Sequence, residues 1–160
     1  MQRRAEGAAV SSAGSLNHLR LSVRDPAATE AFYNPVLELL GYVQIPRHDG
    51  GRAWERWDST GAAHWLIFTP VAPEHRDAAP HDLRAPGFHH LALNAADREQ
   101  VDRVHEVLVA LGAEILDAPA EYDYNPGYYA AFFRDPDGFK LEIVHIPLGR
   151  RPGATRLVRR

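Results

Sequence analysis

The chain contains no cysteine among its 160 residues. Disulfides, thiolate metal sites and thiol nucleophiles are therefore excluded. No apolar run approaches the roughly 20 residues that a bilayer-spanning helix needs. Residues 1–15 carry Arg3 and Arg4 but no apolar stretch of the kind that forms a secretory signal. A basic excess is missing too: 18 Lys and Arg stand against 21 Asp and Glu, a formal net charge of −3. That balance argues against a nucleic-acid partner, which needs a basic face. What remains is one globular domain, expected in a reducing, cytoplasmic setting, with no membrane partner and length enough to bury a core.

Histidine, by contrast, is plentiful, with nine in the chain. Neutral imidazole binds metals and titrates near neutrality, so each position matters. His48, His75, His81 and His105 sit among polar neighbours and read as surface residues.

The sequence contains itself twice. His18-Leu19-Arg20-Leu21-Ser22-Val23-Arg24-Asp25 returns 72 positions later as His90-Leu91-Ala92-Leu93-Asn94-Ala95-Ala96-Asp97. Leu40-Gly41 returns as Leu111-Gly112 at an offset of 71. A near-constant offset over more than twenty residues points to duplication. Each copy opens on an alternating strand, with Leu19, Leu21 and Val23 on one face and His18, Arg20 and Ser22 on the other. Asp25 and Asp97 read as helix N-caps, with Pro26 at the first helical position and Gln100 placed for a capping box. Gly41 and Gly112 supply left-handed helix stops. Pro35 predicts a kink or break near Tyr33 and Asn34.

Shorter strands follow each helix. They are expected near Tyr42 to Arg47, Arg52 to Trp57 and His64 to Thr69, then Ala113 to Leu116, Tyr128 to Arg134 and Phe139 to Ile146. Asp49-Gly50-Gly51, Ser59-Thr60-Gly61 and Asp135-Pro136-Asp137-Gly138 mark turns. The fold class is α+β: two βαβββ repeats forming a curved mixed sheet around a cleft, with helices outside. Residues 1–14 read as a flexible segment, 15–70 as repeat one, 71–86 as a linker, 87–147 as repeat two and 148–160 as a basic tail.

Alternation along Lys140-Leu141-Glu142-Ile143-Val144 sends Leu141 and Ile143 to the helix side and turns Glu142 into the cleft. If the turn at Asp135 to Gly138 closes a hairpin, Ala131 stands opposite Glu142, flanked by Tyr129 and Phe133. An inward carboxylate needs compensation, and a metal ion provides it. Two imidazoles and a carboxylate make the facial set of non-haem iron sites, and also suit Zn, Ni, Co or Mn. Arg20 shares the His18 face and can grip a substrate carboxylate or phosphate. Trp54, Trp57 and Trp65 offer either an aromatic wall or packing. Tyr124, Tyr128 and Tyr129 lie just before a cavity strand, where a hydroxyl can donate a proton.

These pieces resemble the vicinal-oxygen-chelate superfamily: glyoxalase I, bleomycin-resistance proteins and extradiol dioxygenases. The resemblance is carried by Asn17-His18-Leu19, Ala31-Phe32-Tyr33, Leu40-Gly41-Tyr42, His90-Leu91-Ala92-Leu93 and Asp135-Pro136-Asp137-Gly138-Phe139-Lys140-Leu141-Glu142, over about Leu16 to Ile146. Asn125-Pro126-Gly127-Tyr128-Tyr129-Ala130-Ala131-Phe132-Phe133 resembles a glyoxalase-like bacterial branch. The resemblance implies that His18, His90 and Glu142 hold a divalent metal (Fe, Mn, Ni, Co or Zn). It also implies a homodimer and a small oxygenated substrate bound through adjacent oxygens. Arg20, Trp65, Tyr129 and Phe133 are the expected substrate contacts. Candidate bases are Glu142, Tyr124 and His64, in that order. The implied activity is that of a lyase, isomerase or dioxygenase. The alternative is a metal-free protein that sequesters an antibiotic or similar metabolite. Two departures are visible. Glyoxalase I carries a fourth ligand on the last strand of repeat one, where Trp65 or Leu66 aligns here. The dioxygenases carry a Tyr where this chain has Phe132-Phe133.

Overall fold

The computed structural model describes residues 14–147. The expectations for residues 1–14 and 148–160 lie outside them, Gly14 apart. Repeat one is β1 (His18–Val23), α1 (Pro26–Leu39), β2 (Val43–Ile45), β3 (Arg52–Trp57) and β4 (Ala63–Pro70). Repeat two is β5 (Leu91–Asn94), α2 (Arg98–Ala110), β6 (Glu114–Glu121), β7 (Tyr129–Arg134) and β8 (Lys140–His145). The strands form two four-stranded mixed sheets, in the orders β1-β4-β3-β2 and β5-β8-β7-β6. In each, the opening strand runs parallel to the last. Two βαβββ modules of α+β class are therefore present, as the duplication implies. Among the described residues, no helix is long and apolar enough to cross a membrane.

Local chemistry sets the helix ends. The Asp25 carboxylate accepts from the backbone N–H of Ala27 at 2.8 Å, and Asp97 accepts from Gln100 N–H at 2.7 Å. The Gln100 side chain returns to the N–H of Ala96 rather than to that of Asp97, so the box closes one residue early. Gly41 and Gly112 adopt φ of +79° and +69°, the left-handed stop that β-carbons resist. Pro35 does not break α1, which runs unbroken to Leu39. Thr29, Phe32, Tyr33, Val36 and Leu37 form one buried stripe along it. Burying four large side chains at about 1.5–3 kcal/mol each outweighs the roughly 3 kcal/mol cost of an interior proline.

The strand between α2 and β7 is longer than the sequence suggests. It runs to Glu121 and shifts register twice, between Ile115 and Asp117 and again before Ala120. Pro119, which has no N–H to give to a ladder, lies beside the second shift on this edge strand.

One core joins the repeats. α1 packs on α2, and the helix-facing residues of both sheets merge with them: Leu21, Trp54 and Phe68 from the first, Ala131, Phe133 and Ile143 from the second. Phe32 of α1 reaches Phe133 of β7, with ring centroids 6.2 Å apart. A polar clasp accompanies this packing. Tyr33, 1% exposed, donates its hydroxyl to Asp135 at 2.8 Å. Asp135 also accepts from the N–H groups of Asp137 and Phe139 and so shapes the β7–β8 turn. Burial pushes its carboxyl up to about 6, against the hydrogen bonds that favour the anion. Arg24 binds the same turn, donating to Asp137 Oδ1 at 2.8 Å and to the Pro136 carbonyl. The segment expected to link the repeats docks here too: Pro80 sits where a Cβ on Gly138 would come within 2.9 Å, and His81 N–H donates to the Asp137 carbonyl.

A second latch holds the chain before β1. His64 Nδ1 meets the Leu16 carbonyl at 2.7 Å and Nε2 meets Asp58 at 3.0 Å. Both partners are acceptors, so the protonated ring, with a donor on each nitrogen, satisfies both at once. The Asp58 hydrogen bond, then the Leu16 carbonyl, hold His64 above its ordinary value. His64 is thus engaged in structure and is not placed to act as a base.

Two outcomes follow from these contacts. Asp135→Ala strands the buried Tyr33 hydroxyl and two backbone N–H groups, and is expected to cost about 2 kcal/mol or more in denaturant unfolding, with Tyr33→Phe milder. For His64, a raised folded value means that its stabilisation is complete below the ordinary histidine value and is lost as pH rises through the folded one. NMR titration should place His64 above about 6.5, and Asp58→Asn should bring it back. An unchanged value in the variant would contradict the latch.

Candidate metal centre

The last strand carries the one buried glutamate among the described residues. Leu141 and Ile143 enter the shared core, so Glu142, 2% exposed, lies on the opposite face of β8. That face is small and apolar: Ala130, Phe132 and Val144, backed by Leu116, Tyr122 and Tyr128. Phe132, not Ala131, stands opposite Glu142. Asp135 to Phe139 form the loop, and Arg134 pairs with Lys140. The expected register was one residue out, and one residue exchanges the faces of a strand. Tyr129 and Phe133 are accordingly on the helix side. Tyr129 donates to Asp102 of α2 at 2.8 Å, and Phe133 is 1% exposed within the core. Neither lines the Glu142 face, and both are withdrawn as substrate contacts.

Two side chains meet the buried acid. His90 Nε2 lies 3.2 Å from Oε2, and the Tyr128 hydroxyl donates to Oε1. Burial, and then the hydrogen bond to Glu142, hold the Tyr128 phenol well above the ordinary phenol range, so it remains a donor. His90 also meets His89, Nδ1 to Nδ1, at 2.7 Å. Tyr124, the tyrosine favoured from sequence, is 41% exposed, stacks on Tyr122 and meets the edge of Tyr128 rather than the acid. The signal for Tyr128 was the Asn125-Pro126-Gly127 turn. Gly127 has φ +76°, and a Cβ there would meet Pro147 at 2.7 Å, while Tyr128 N–H closes the turn on Asn125 at 2.9 Å. Only glycine lets the chain pass there and deliver Tyr128 to the acid.

The first repeat presents a different face. His18 opens β1 with Trp65 as its register partner, and its Nδ1 bonds Asn17 at 2.9 Å. Trp65 donates to Glu55 at 3.2 Å and borders a 230 Å³ cavity with His18. Arg20 donates to Thr69 at 2.8 Å and forms a loose ion pair with Asp49 at 3.9 Å, so its guanidinium is engaged within the protein rather than held open for an anion. Trp54 is fully buried in the core. Leu19 pairs Leu66 as Leu91 pairs Leu141, so the counterpart of Glu142 is Ile67 rather than Trp65 or Leu66. Ile67 has no donor atom, and the glyoxalase-type fourth ligand is absent from that position.

Do these residues suit a metal? Ligands about 2.1 Å from one ion stand roughly 3.0–3.5 Å apart, so the His90–Glu142 spacing is that of two ligands sharing an ion. The third donor is not with them. Among the described residues, no three His, Asp or Glu side chains gather closely enough to hold a cation. β1 and β5 are edge strands of separate sheets, and the repeats meet through helices. The strand faces that carry His18, His90 and Glu142 are those opposite the shared core.

Comparisons with known proteins agree with this architecture. Residues 15–143 match the model of the Glyoxalase/Bleomycin resistance protein/Dioxygenase superfamily. The uncharacterised protein YqjT of Bacillus subtilis is 29% identical over 130 residues, covering 81% of this chain and 97% of that one. The 2,2',3-trihydroxybiphenyl dioxygenase of Sphingomonas paucimobilis is 29% identical over 135 residues, which span 80% of this chain but only 40% of the dioxygenase. The crystal structure of a glyoxalase-like protein from Bacillus halodurans superposes with a TM-score of 0.70 at 28% identity, covering 84% of this chain and 98% of that one. Its two modules, the strand order within them and the matched residues place this chain in the Glyoxalase/Bleomycin resistance protein/Dioxygenase superfamily.

Proposed function

We propose that the protein is a metal-dependent enzyme of this superfamily, working as a homodimer on a small oxygenated metabolite. His90 and Glu142 of one copy hold the ion, and His18 of a second copy supplies the third ligand. The observation that carries this reading is the 3.2 Å spacing of His90 Nε2 and a buried carboxylate, with no third His, Asp or Glu of the same chain close enough to join them among the described residues. The likeness to a trihydroxybiphenyl dioxygenase supports chemistry on adjacent oxygens. A divalent ion in this setting acts as a Lewis acid on such a pair.

The chain's own groups have definite tasks. Tyr128 fixes one carboxylate oxygen, which leaves the other to face His90. Were Nε2 to hold an ion, His90 would carry its proton on Nδ1, which lies 2.7 Å from His89 Nδ1, a potential acceptor. Phe132 and Val144 exclude water around the acid. Reaction by isomerisation, elimination or oxygen insertion uses the same constellation. The metal-free, metabolite-sequestering reading draws on one observation: both Glu142 oxygens already have partners, His90 and Tyr128, without an ion.

Elemental analysis separates the two. Protein reconstituted with Fe, Mn, Ni, Co or Zn should retain about one ion per chain, and His90→Ala, Glu142→Gln and His18→Ala should each lose it. Tyr128→Phe should weaken retention by about tenfold. Failure to retain any of the five metals would overturn the enzyme reading in favour of the binder.

A further inference from the structure

A cleft of about 1010 Å³ opens between the repeats, at the end of the molecule where α1 and β3 finish and β5 hands over to α2. It lies beside the His90–Glu142 pair, neither of which lines it, and Tyr128 both borders the cleft and bonds Glu142. A smaller cavity of 230 Å³, bordered by His18, adjoins it, and the two share Leu40, Arg56 and Asn94. Arg56 therefore stands at the junction of both.

Glu38, Gln100, Tyr128 and His145 on this cleft are engaged in intramolecular hydrogen bonds, but four other polar groups are not. Among the described residues, the Arg56 guanidinium has no hydrogen bond and no ion pair, although nine other ion pairs form in the same range. The side-chain amides of Asn94 and Asn125 and the hydroxyl of Tyr124 likewise bond no protein group there. Of the carboxylates, Glu38 borders the cleft, and one of its oxygens already accepts from Asn34 at 2.9 Å. Two aromatic rings are offered at the same place: Trp57, 61% exposed, and Tyr124. A guanidinium binds a carboxylate through two parallel hydrogen bonds, and exposed rings favour flat apolar partners. Sites of this size with a few converging polar groups are the usual home of small ligands.

We propose that this cleft binds a planar aromatic carboxylate, with Arg56 pairing the carboxylate and Trp57 and Tyr124 contacting the ring. The site does not depend on the metal centre, so chelator-treated protein is used to test it. The probes are 2-naphthoate and its neutral analogue 2-naphthylmethanol, followed by calorimetry and tryptophan fluorescence. The wild type should bind 2-naphthoate saturably and quench Trp57 emission, while the alcohol binds about tenfold more weakly or worse. Arg56→Ala should lower naphthoate affinity to that of the alcohol, Arg56→Lys should recover part of it, and Trp57→Phe should remove the fluorescence change. Circular dichroism confirms that each exposed-site variant is folded. Equal affinity of wild type and Arg56→Ala for naphthoate, equal affinity of the wild type for both probes, or no saturation at millimolar probe would overturn the proposal.

Discussion

The packing of both repeats through their helices into one hydrophobic core is the constraint on which the rest depends. Each opening strand spends its leucines and valines on that core, which leaves the alternate positions on the outer face. The aromatic contacts of Phe32 with Phe133 and of Tyr33 with Phe68 fill the centre, and the Tyr33–Asp135 and Arg24–Asp137 bonds fix the angle at the rim. Side chains in such a core interdigitate at near-crystalline density, so the relation of the two sheets is set by shape. In this chain, among the described residues, His18 does not join His90 and Glu142 in one cluster.

That constraint gives Glu142 its meaning. A carboxylate with almost no solvent contact is costly unless it is paired or bound to a cation. The fold places it on a strand whose neighbours are Ala130, Phe132 and Val144, and supplies two hydrogen-bond partners. The duplicated position in repeat one carries Ile67, so the two halves have diverged exactly where chemistry would be expected: one keeps an acid, the other a hydrocarbon. On the metal reading proposed above, the chain would offer His90 and Glu142 from one sheet and His18 from the other.

Much of the architecture was legible because it rests on local chemistry. Asp25, Asp97, Gly41 and Gly112 announce their caps and stops, and the His-Leu-x-Leu echo announces the duplication. The side to which Glu142 turns follows from strand alternation. What sequence could not give was anything set by loop length or tertiary packing. The pairing of Phe132 with Glu142 depends on one loop residue, and with it the fate of Tyr129 and Phe133. Pro35 reads as a helix breaker until the burial of its neighbours is known. The sequence favours Tyr124 over Tyr128, and only the close pass of Gly127 over Pro147 reverses that choice. Nothing in a linear pattern reveals that helices rather than strand edges join the repeats.

The claim at the centre of this account is that a complete metal site needs two copies. Subunit exchange between His18→Ala and His90→Ala proteins tests it. Each homodimer lacks a ligand at every site, but the mixed dimer unites an intact His90–Glu142 pair with the partner's intact His18. Metal retention restored at one site per mixed dimer is the outcome that this arrangement predicts. A mixture that stays as empty of metal as the separate variants would contradict it.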